Sequence, residues 1–532
     1  MNRRQALKTV LAAGAGVSLF RSSRSLCISL ATVATVILGL LTASAQGAGQ
    51  SNPSAIKPSD VFGTTNIWVV HLTFTSEQWE AMEPKEGPRP VRPPGARGMS
   101  LQGPEGGRNG MMAAMGLQFD YVHADLEFGT NRFKDVGVRY KGNGTFMSSR
   151  GTLKRSLKID LNKFVKGQKL AGMSQLNLHN SVRDPSSMNE AIAYRLFRDR
   201  GVPASRTAYA QVFITVPRKY DRKYFGLYTL VEDVSRAFAE ERFGTSKGAI
   251  FKPVTPTLFA DLGDDWKSYN QTYDPKVRLS NEDKQRVIAF AKIATEADDA
   301  EFSAKLPEFV DLDNLARYMA ITTWLCDLDG ILGPGQNYYL WLHPRTQKFT
   351  FIPWDQDQTF GQFPRGSTEE QRENLSIQKP WSGENRFLER LFKTESFKKA
   401  FLVRLQEFNG TIFEPAAIRR QVDELANVLR PAIQAESPER LTELNKAAAG
   451  ERVTIYMGPV GMGGTLVKPI KSFVEARAQS VSDQLAGKSQ GQTVNSGFGP
   501  PGGRRFPGQG RFPQAGSPPP QGQRPAQEPP TR

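Results

Sequence analysis

The chain has 532 residues, with 69 Lys and Arg against 53 Asp and Glu for a formal net charge of +16; 39% of its residues are hydrophobic and 10% aromatic. That apolar content excludes a wholly disordered protein. The basic excess gathers at the two ends, as Arg3, Arg4, Lys8, Arg21 and Arg24 near the start and Arg504, Arg505, Arg511, Arg524 and Arg532 near the finish. A chain-wide basic groove is therefore not expected, and neither is a nucleic-acid partner.

Residues 1–45 hold two apolar runs, 11–20 and 27–41, and end in the small-residue pattern Ala43-Ser44-Ala45. Both runs are short of the roughly 20 residues that span a bilayer, so the segment reads as an export signal. The alternative is an uncleaved anchor. Arg3-Arg4 resembles a twin-arginine signal of bacteria, beside ordinary secretion. The mature chain is then exported to the periplasm, cell surface or exterior, with no stable membrane span. Cleavage would remove Cys27 and leave Cys326 alone, which excludes an intrachain disulfide and suits a small buried hydrophobe.

Further along, residues 65–74 alternate in the two-residue rhythm of a strand, and Ser76 is placed to cap a short helix. The Pro-, Gly- and Arg-rich stretch 84–110 reads as a long surface loop. Strands are expected over 116–128, 135–141 and 156–161. A helix follows over 184–200, with Asp184 as cap and Pro185 in the first turn. Strands return over 209–216 and 225–232. The result is an antiparallel sheet with a helix packed on it, an α+β lobe covering 46–280.

After Ser280 the pattern turns helical over 282–294, 311–326, 387–409, 415–435 and 468–485, broken by one strand pair at 336–342 and 348–352. A mainly helical lobe is expected over 281–486, with a cleft between the lobes. Residues 487–532 are rich in Gly and Pro and read as a disordered tail.

The sharpest chemical feature is the turn Ile352-Pro353-Trp354-Asp355-Gln356-Asp357-Gln358-Thr359-Phe360-Gly361. Asp355 and Asp357 can project the same way, and clustered oxygen ligands suit Mg²⁺ or Ca²⁺. An EF-hand loop is excluded, because Gly361 falls seventh and Gly366 twelfth. A solvated acidic turn is the other reading. Upstream, Cys326-Asp327-Leu328-Asp329-Gly330 precedes Asn337. Acid, Asn and acid in that order match the base, metal-binding Asn and metal-binding Asp of protein kinases, though the spacing excludes a typical one. Lys158 on a strand, with Glu190 on the next helix, suits a phosphate-orienting lysine or an exposed strand lysine equally well. Gly142-Asn143-Gly144 either covers phosphates or forms a hairpin. Gly244-Thr245-Ser246-Lys247-Gly248 follows a helical segment, which argues against a nucleophile elbow. His71, His123, His179 and His343 are scattered, so zinc hydrolysis is not expected and each reads as structural or surface.

Taken together, the stretches 139–143, 154–164, 176–178, 184–194, 196–204, 226–232, 248–252, 337–340, 352–361 and 468–473 resemble the spore coat protein H (CotH) kinase family, across roughly residues 66–485. The resemblance implies a divergent two-lobed protein-kinase-like fold that uses ATP with Mg²⁺ or Mn²⁺ to phosphorylate Ser or Thr of a coat or surface protein. By position it makes Asp329 the catalytic base, with Asp327 competing for that role. Lys158 would hold the ATP phosphates and Glu190 would orient it, with Arg183 or Glu232 as alternatives. Glu232 would face the adenine, and Gly142 and Gly144 would cover the phosphates. Asn337 and Asp355 would bind metal, with Asp357 a second ligand or a support for the turn. The competing expectation is a non-catalytic coat or surface scaffold on the same fold, with Asp355 and Asp357 holding structural calcium.

Overall fold

In the computed structural model of the protein, which describes residues 56–90, 101–458 and 463–495, the first half of the chain builds a closed sheet. Its strands are β1 (Ile67–Thr73), β2 (Val122–Phe128), β3 (Asn131–Tyr140), β4 (Leu157–Asp160), β5 (Gln175–His179), β6 (Thr207–Val216) and β7 (Tyr220–Glu232). They form a barrel in the order β1-β2-β3-β4-β5-β7-β6. Neighbours are antiparallel except at the closure, where β1 and β6 pair in parallel from Ile67 opposite Tyr209 to Thr73 opposite Thr215. The expected antiparallel sheet is therefore a barrel. Its closing pair joins segments far apart in the chain, and no turn announces it.

Side chains alternate across each strand, so every second one points inward. Val138, Tyr140, Leu157, Ile159, Leu176, Leu178 and Leu230 fill the barrel. The second core lies outside it. Ile192, Leu196 and Phe197 of α1 (Asn189–Asp199) pack there, together with a three-stranded sheet of β8 (Ala249–Phe251), β9 (Tyr338–Leu342) and β10 (Phe349–Pro353). Around them run α2 (Asn281–Glu296), α3 (Asp299–Phe309), α4 (Leu312–Trp324), α5 (Arg386–Lys393), α6 (Glu395–Asn409), α7 (Pro415–Glu436), α8 (Pro438–Ala449) and α9 (Ile470–Leu485). This core takes in Met188 and residues up to Tyr273, so the helical part of the fold reaches well upstream of residue 280.

Local details differ from the sequence reading for identifiable reasons. Thr75, not Ser76, caps the first helix, its hydroxyl accepting from Gln78 N at 3.2 Å. Asp184 stands before α1 rather than on it: its carboxylate accepts from the backbone N–H of Ser186, Ser187 and Asn189 and folds a tight pre-helical turn. The expected helix over 387–409 breaks at Thr394, whose backbone is extended. Part of the expected surface loop is packed: Asn109 Nδ2 donates to Gln271 O at 2.7 Å and is buried. Residues 91–100 of that loop lie outside the described residues. The expected tail begins later than 487, since Gln492 pairs with the backbone of Asn374 and Ser376 and Val494 is buried. The expected export signal and the tail from 496 on also lie outside the described residues. Cys326 is buried and free. Among the described residues no helix is long and apolar enough to cross a membrane.

Candidate active site

Residues paired across neighbouring strands share a face. Arg139 of β3, Lys158 of β4 and Asn177 of β5 are successive partners, and the alternation that buries Tyr140, Leu157 and Leu178 puts them on the barrel's outer side. Lys141 and His179, two positions on, follow the same rule. Facing them are Lys252, Tyr339 and Trp354 from the β8–β10 sheet, with Asp355 and Asp357 in the turn after β10. Between the two walls lies a cavity of about 590 Å³.

The charges in this cavity divide into those already paired and those left over. Lys158 Nζ donates to Asp233 at 3.0 Å, and Lys276 bonds Asp274. Among the described residues Arg108, Arg139, Lys141 and Lys252 form no ion pair with a carboxylate, and Asp355 and Asp357 form none with a base. Burial pulls the Lys252 ammonium down to about 8, and neighbouring Lys276 adds to this. Its Nζ lies 5.3 Å from the ring centres of both Tyr339 and Trp354, an attraction that partly compensates lost water.

His179 connects the barrel to α1. Its Nδ1 lies 2.8 Å from Glu190 Oε2 and its Nε2 2.5 Å from Lys141 Nζ. Burial, and then the Lys141 charge, hold the imidazole well below its usual range, so it is neutral. One tautomer satisfies both contacts: Nδ1–H donates to the carboxylate and Nε2 accepts from the ammonium. Burial pushes the Lys141 ammonium down and the Glu190 carboxyl up.

The acidic segments are held by buried arginines. Arg477 is fully buried and donates to the carbonyls of Thr323 and Trp324 at the end of α4, and to those of Glu373 and Leu375. The last carbonyls of a helix lack partners within it, so Arg477 terminates α4 just before Cys326-Asp327-Leu328-Asp329. Arg372 does similar work on the second loop, donating to Gly361 O at 2.6 Å. Gly361 has φ of +68°, and a Cβ there would stand 2.5 Å from the Phe473 ring. Cys326, Asn337 and Asp355 also occupy left-handed backbone, at φ of 51°, 60° and 57°. Non-glycine residues in that region cluster at functional sites.

Asp329 accepts from Gln336 Nε2 at 3.0 Å and from Asn337 Nδ2 at 3.1 Å, and both of those residues line the cavity. Burial raises its carboxyl to about 7; the Arg183 charge opposes this and Asp355 adds to it. Asp327 is likewise raised to about 7 by burial, but it bonds Gln356, which does not line the cavity.

The donor set suits a divalent cation. One ligand atom each of His179, Glu190 and Asp355 lie within 4.8 Å of one another. His179 is engaged on both nitrogens, which leaves carboxylates. Burial raises Asp357 well above the ordinary carboxylate range, and the charges of Asp355 and Glu190 raise it further. A hard dication relieves such crowding of oxygen ligands.

The model of the CotH kinase protein family matches residues 138–479. The chain belongs to that family. It is also similar to the inner spore coat protein H of Bacillus subtilis (strain 168), 24% identical over 319 residues, which is 59% of this chain and 82% of that protein. Among solved structures it overlaps the Shewanella oneidensis MR-1 toxin–antitoxin HipA, HipB and operator DNA complex at 12% identity, over 62% of this chain and 63% of that one. The TM-score of 0.23 is too low to define a shared fold.

In this CotH-family chain some expected residues meet and others do not. Asn337, Asp355 and Asp357 line one cavity with Lys158, Glu190 and Gly142, and Asp329 adjoins it. Lys158 and Glu190 do not pair: Lys158 is bound to Asp233, and Glu190 reaches Lys141 through His179. Glu232 does not face the cavity. Its carboxylate is bound by Arg206 and Arg242, because the strand's alternation turns it away and brings Asp233 in. Gly144 does not line the cavity either; it opens the short helix Gly144–Ser148, where a Cβ would stand 2.3 Å from the Arg183 guanidinium. The sequence reading did not place Lys141, His179, Lys252, Asp233 and Arg108 in this cavity, which all five line. The available signal was strand parity: Lys141 shares its face with Arg139, as His179 does with Asn177.

Proposed function

We propose that this cleft transfers the γ-phosphoryl group of ATP to Ser or Thr hydroxyls of a partner protein of a coat or surface, in a two-lobed kinase-like arrangement of barrel and helical part. The observation that carries the reading is the division of unpaired charge. Among the described residues Arg139 and Lys141 of the barrel wall, Arg108 of the upstream loop and Lys252 of the facing wall have no carboxylate partner, and Asp355 and Asp357 of the turn have no cation. A polyanion together with a divalent metal complements both. An export signal over residues 1–45 and a coat or surface location, as in the printed name of the Bacillus relative, accord with this use.

Lys141, Lys252 and Lys158 offset the charge of the polyphosphate, and the fixed His179 bridge keeps Lys141 in place. Asp355, with Asp357 and Asn337, would hold Mg²⁺ or Mn²⁺, which when bound neutralises charge on the transferring group. Asp329 accepts the proton of the acceptor hydroxyl, and Gln336 and Asn337 fix its orientation. A carboxyl raised to about 7 is matched to that task near neutral pH. Catalysis of this kind rests on placement and electrostatics.

The test is transfer of label from γ-labelled ATP, with Mg²⁺ or Mn²⁺, to the protein itself and to a Ser-rich acceptor. The wild type transfers label and Asp355→Ala does not. A wild type that neither transfers label nor binds ATP is instead a non-catalytic scaffold.

A further inference from the structure

The family match begins at residue 138, yet part of the cavity wall comes from residues 108–110, in the Gly- and Arg-rich stretch upstream. This segment is docked, not draped. Asn109 is buried and bonds Gln271 O, and its Oδ1 accepts from Gly103 N. Gly110 approaches the Gly142-Asn143-Gly144 turn so closely that a Cβ would stand 2.2 Å from the Asn143 side chain. Met112 N donates to Asn143 Oδ1 from the same side.

Arg108 is the residue this docking delivers. Its guanidinium lies 4.3 Å from the centre of the Phe119 ring, and Nη1 reaches Gly142 O at 3.4 Å. Nη2 is buried with no hydrogen-bond partner. The charge that acts on Arg108 is another cation, Arg139, whose guanidinium is turned to the Tyr140 carbonyl and the Tyr121 ring. Among the described residues neither guanidinium forms an ion pair. A guanidinium that stays charged at neutral pH needs an anionic partner when buried. Two guanidiniums that line one cavity without a carboxylate partner suit a doubly charged oxyanion.

We propose that Arg108 is a phosphate-binding residue, brought into the cleft by the upstream loop to grip the polyphosphate of the nucleotide beside the Gly142–Gly144 turn. The assignment to a nucleotide rests on the functional reading above; the anion site itself does not. The Phe119 ring packs against the guanidinium where Arg108 lines the cavity.

The experiment is calorimetric titration of the full chain and of Arg108→Met with inorganic tripolyphosphate, ATP and adenosine, alongside thermal melts. Loss of one charge-assisted contact is expected to weaken tripolyphosphate and ATP binding by about 10-fold or more and leave adenosine binding unchanged. Arg108→Lys, which keeps charge but not the fork, restores part of the loss. Should Arg108→Met unfold, Phe119→Leu, which releases the plane while keeping the charge, is expected to weaken the two phosphates in the same order. Tripolyphosphate binding that needs Arg108, without ATP binding, upholds the anion site and removes the nucleotide reading. Equal affinities in wild type and Arg108→Met overturn the proposal, as does a wild type that binds no polyphosphate.

Discussion

Asn337 holds Asp329 at two points, its Nδ2 donating to the Asp329 carbonyl and to Oδ2, each at 3.1 Å. It does so from left-handed backbone at φ of 60°, a region that Asn tolerates better than most residues and glycine tolerates freely. Asn337→Gly thus separates strain from function. Stability is expected to move by no more than about 1–2 kcal/mol, because relief of strain offsets the lost bonds. Label transfer falls at least about ten-fold, since the carboxylate is no longer aimed. Urea denaturation run beside the transfer assay checks both, and unchanged transfer contradicts the role.

Arg477 supports the acidic loops, its one guanidinium donating to four buried carbonyls. Arg477→Ala removes the donor to Trp324 O and Glu373 O and one of two donors to Thr323 O and Leu375 O, which keep Cys326 N and Gln484 Nε2, and is expected to cost at least about 3 kcal/mol. Arg477→Lys recovers little, because one ammonium cannot replace the fork. Chemical denaturation reads both. A loss below about 1 kcal/mol for the alanine variant would show that water or neighbouring groups satisfy the carbonyls.

Stability depends on pH through Asp327. Burial raises this carboxyl to about 7 in the folded protein, against about 3.9 when unfolded. The folded state therefore binds the proton more tightly, and stability falls as pH rises from about 4 through about 7. Asp327→Asn keeps an acceptor for Gln356 and removes the charge. It is expected to stabilise the metal-free protein by about 2–4 kcal/mol at pH 8 and by almost nothing at pH 4. Melting curves at the two pH values test this, and an equal shift at both contradicts it.

Much of the acidic half of the site was legible in the sequence, because its residues are close in the chain. Asp355 and Asp357 sit on one turn, and Asp329 and Asn337 flank one loop, so order alone suggested their chemistry. The basic half was less legible because it is assembled by sheet register. Lys158 and Glu190 looked like a pair by order, but pairing of β4 with β5 puts Lys158 beside Asn177 and Asp233, while His179 takes the place opposite Glu190. The barrel closure between β1 and β6 and the docking of Asn109 on Gln271 have the same cause. Each depends on a contact distant in sequence, which local periodicity cannot report.

The most direct test of the central claim is a crystal structure of the protein with a non-hydrolysable ATP analogue and Mn²⁺, using anomalous scattering to locate the metal. A manganese peak is expected within coordination distance of a carboxylate oxygen of Asp355, with the phosphates between it and Lys141, Lys252 and Arg108. A nucleotide bound elsewhere, or a manganese peak away from Asp355 with the cleft empty, would contradict it.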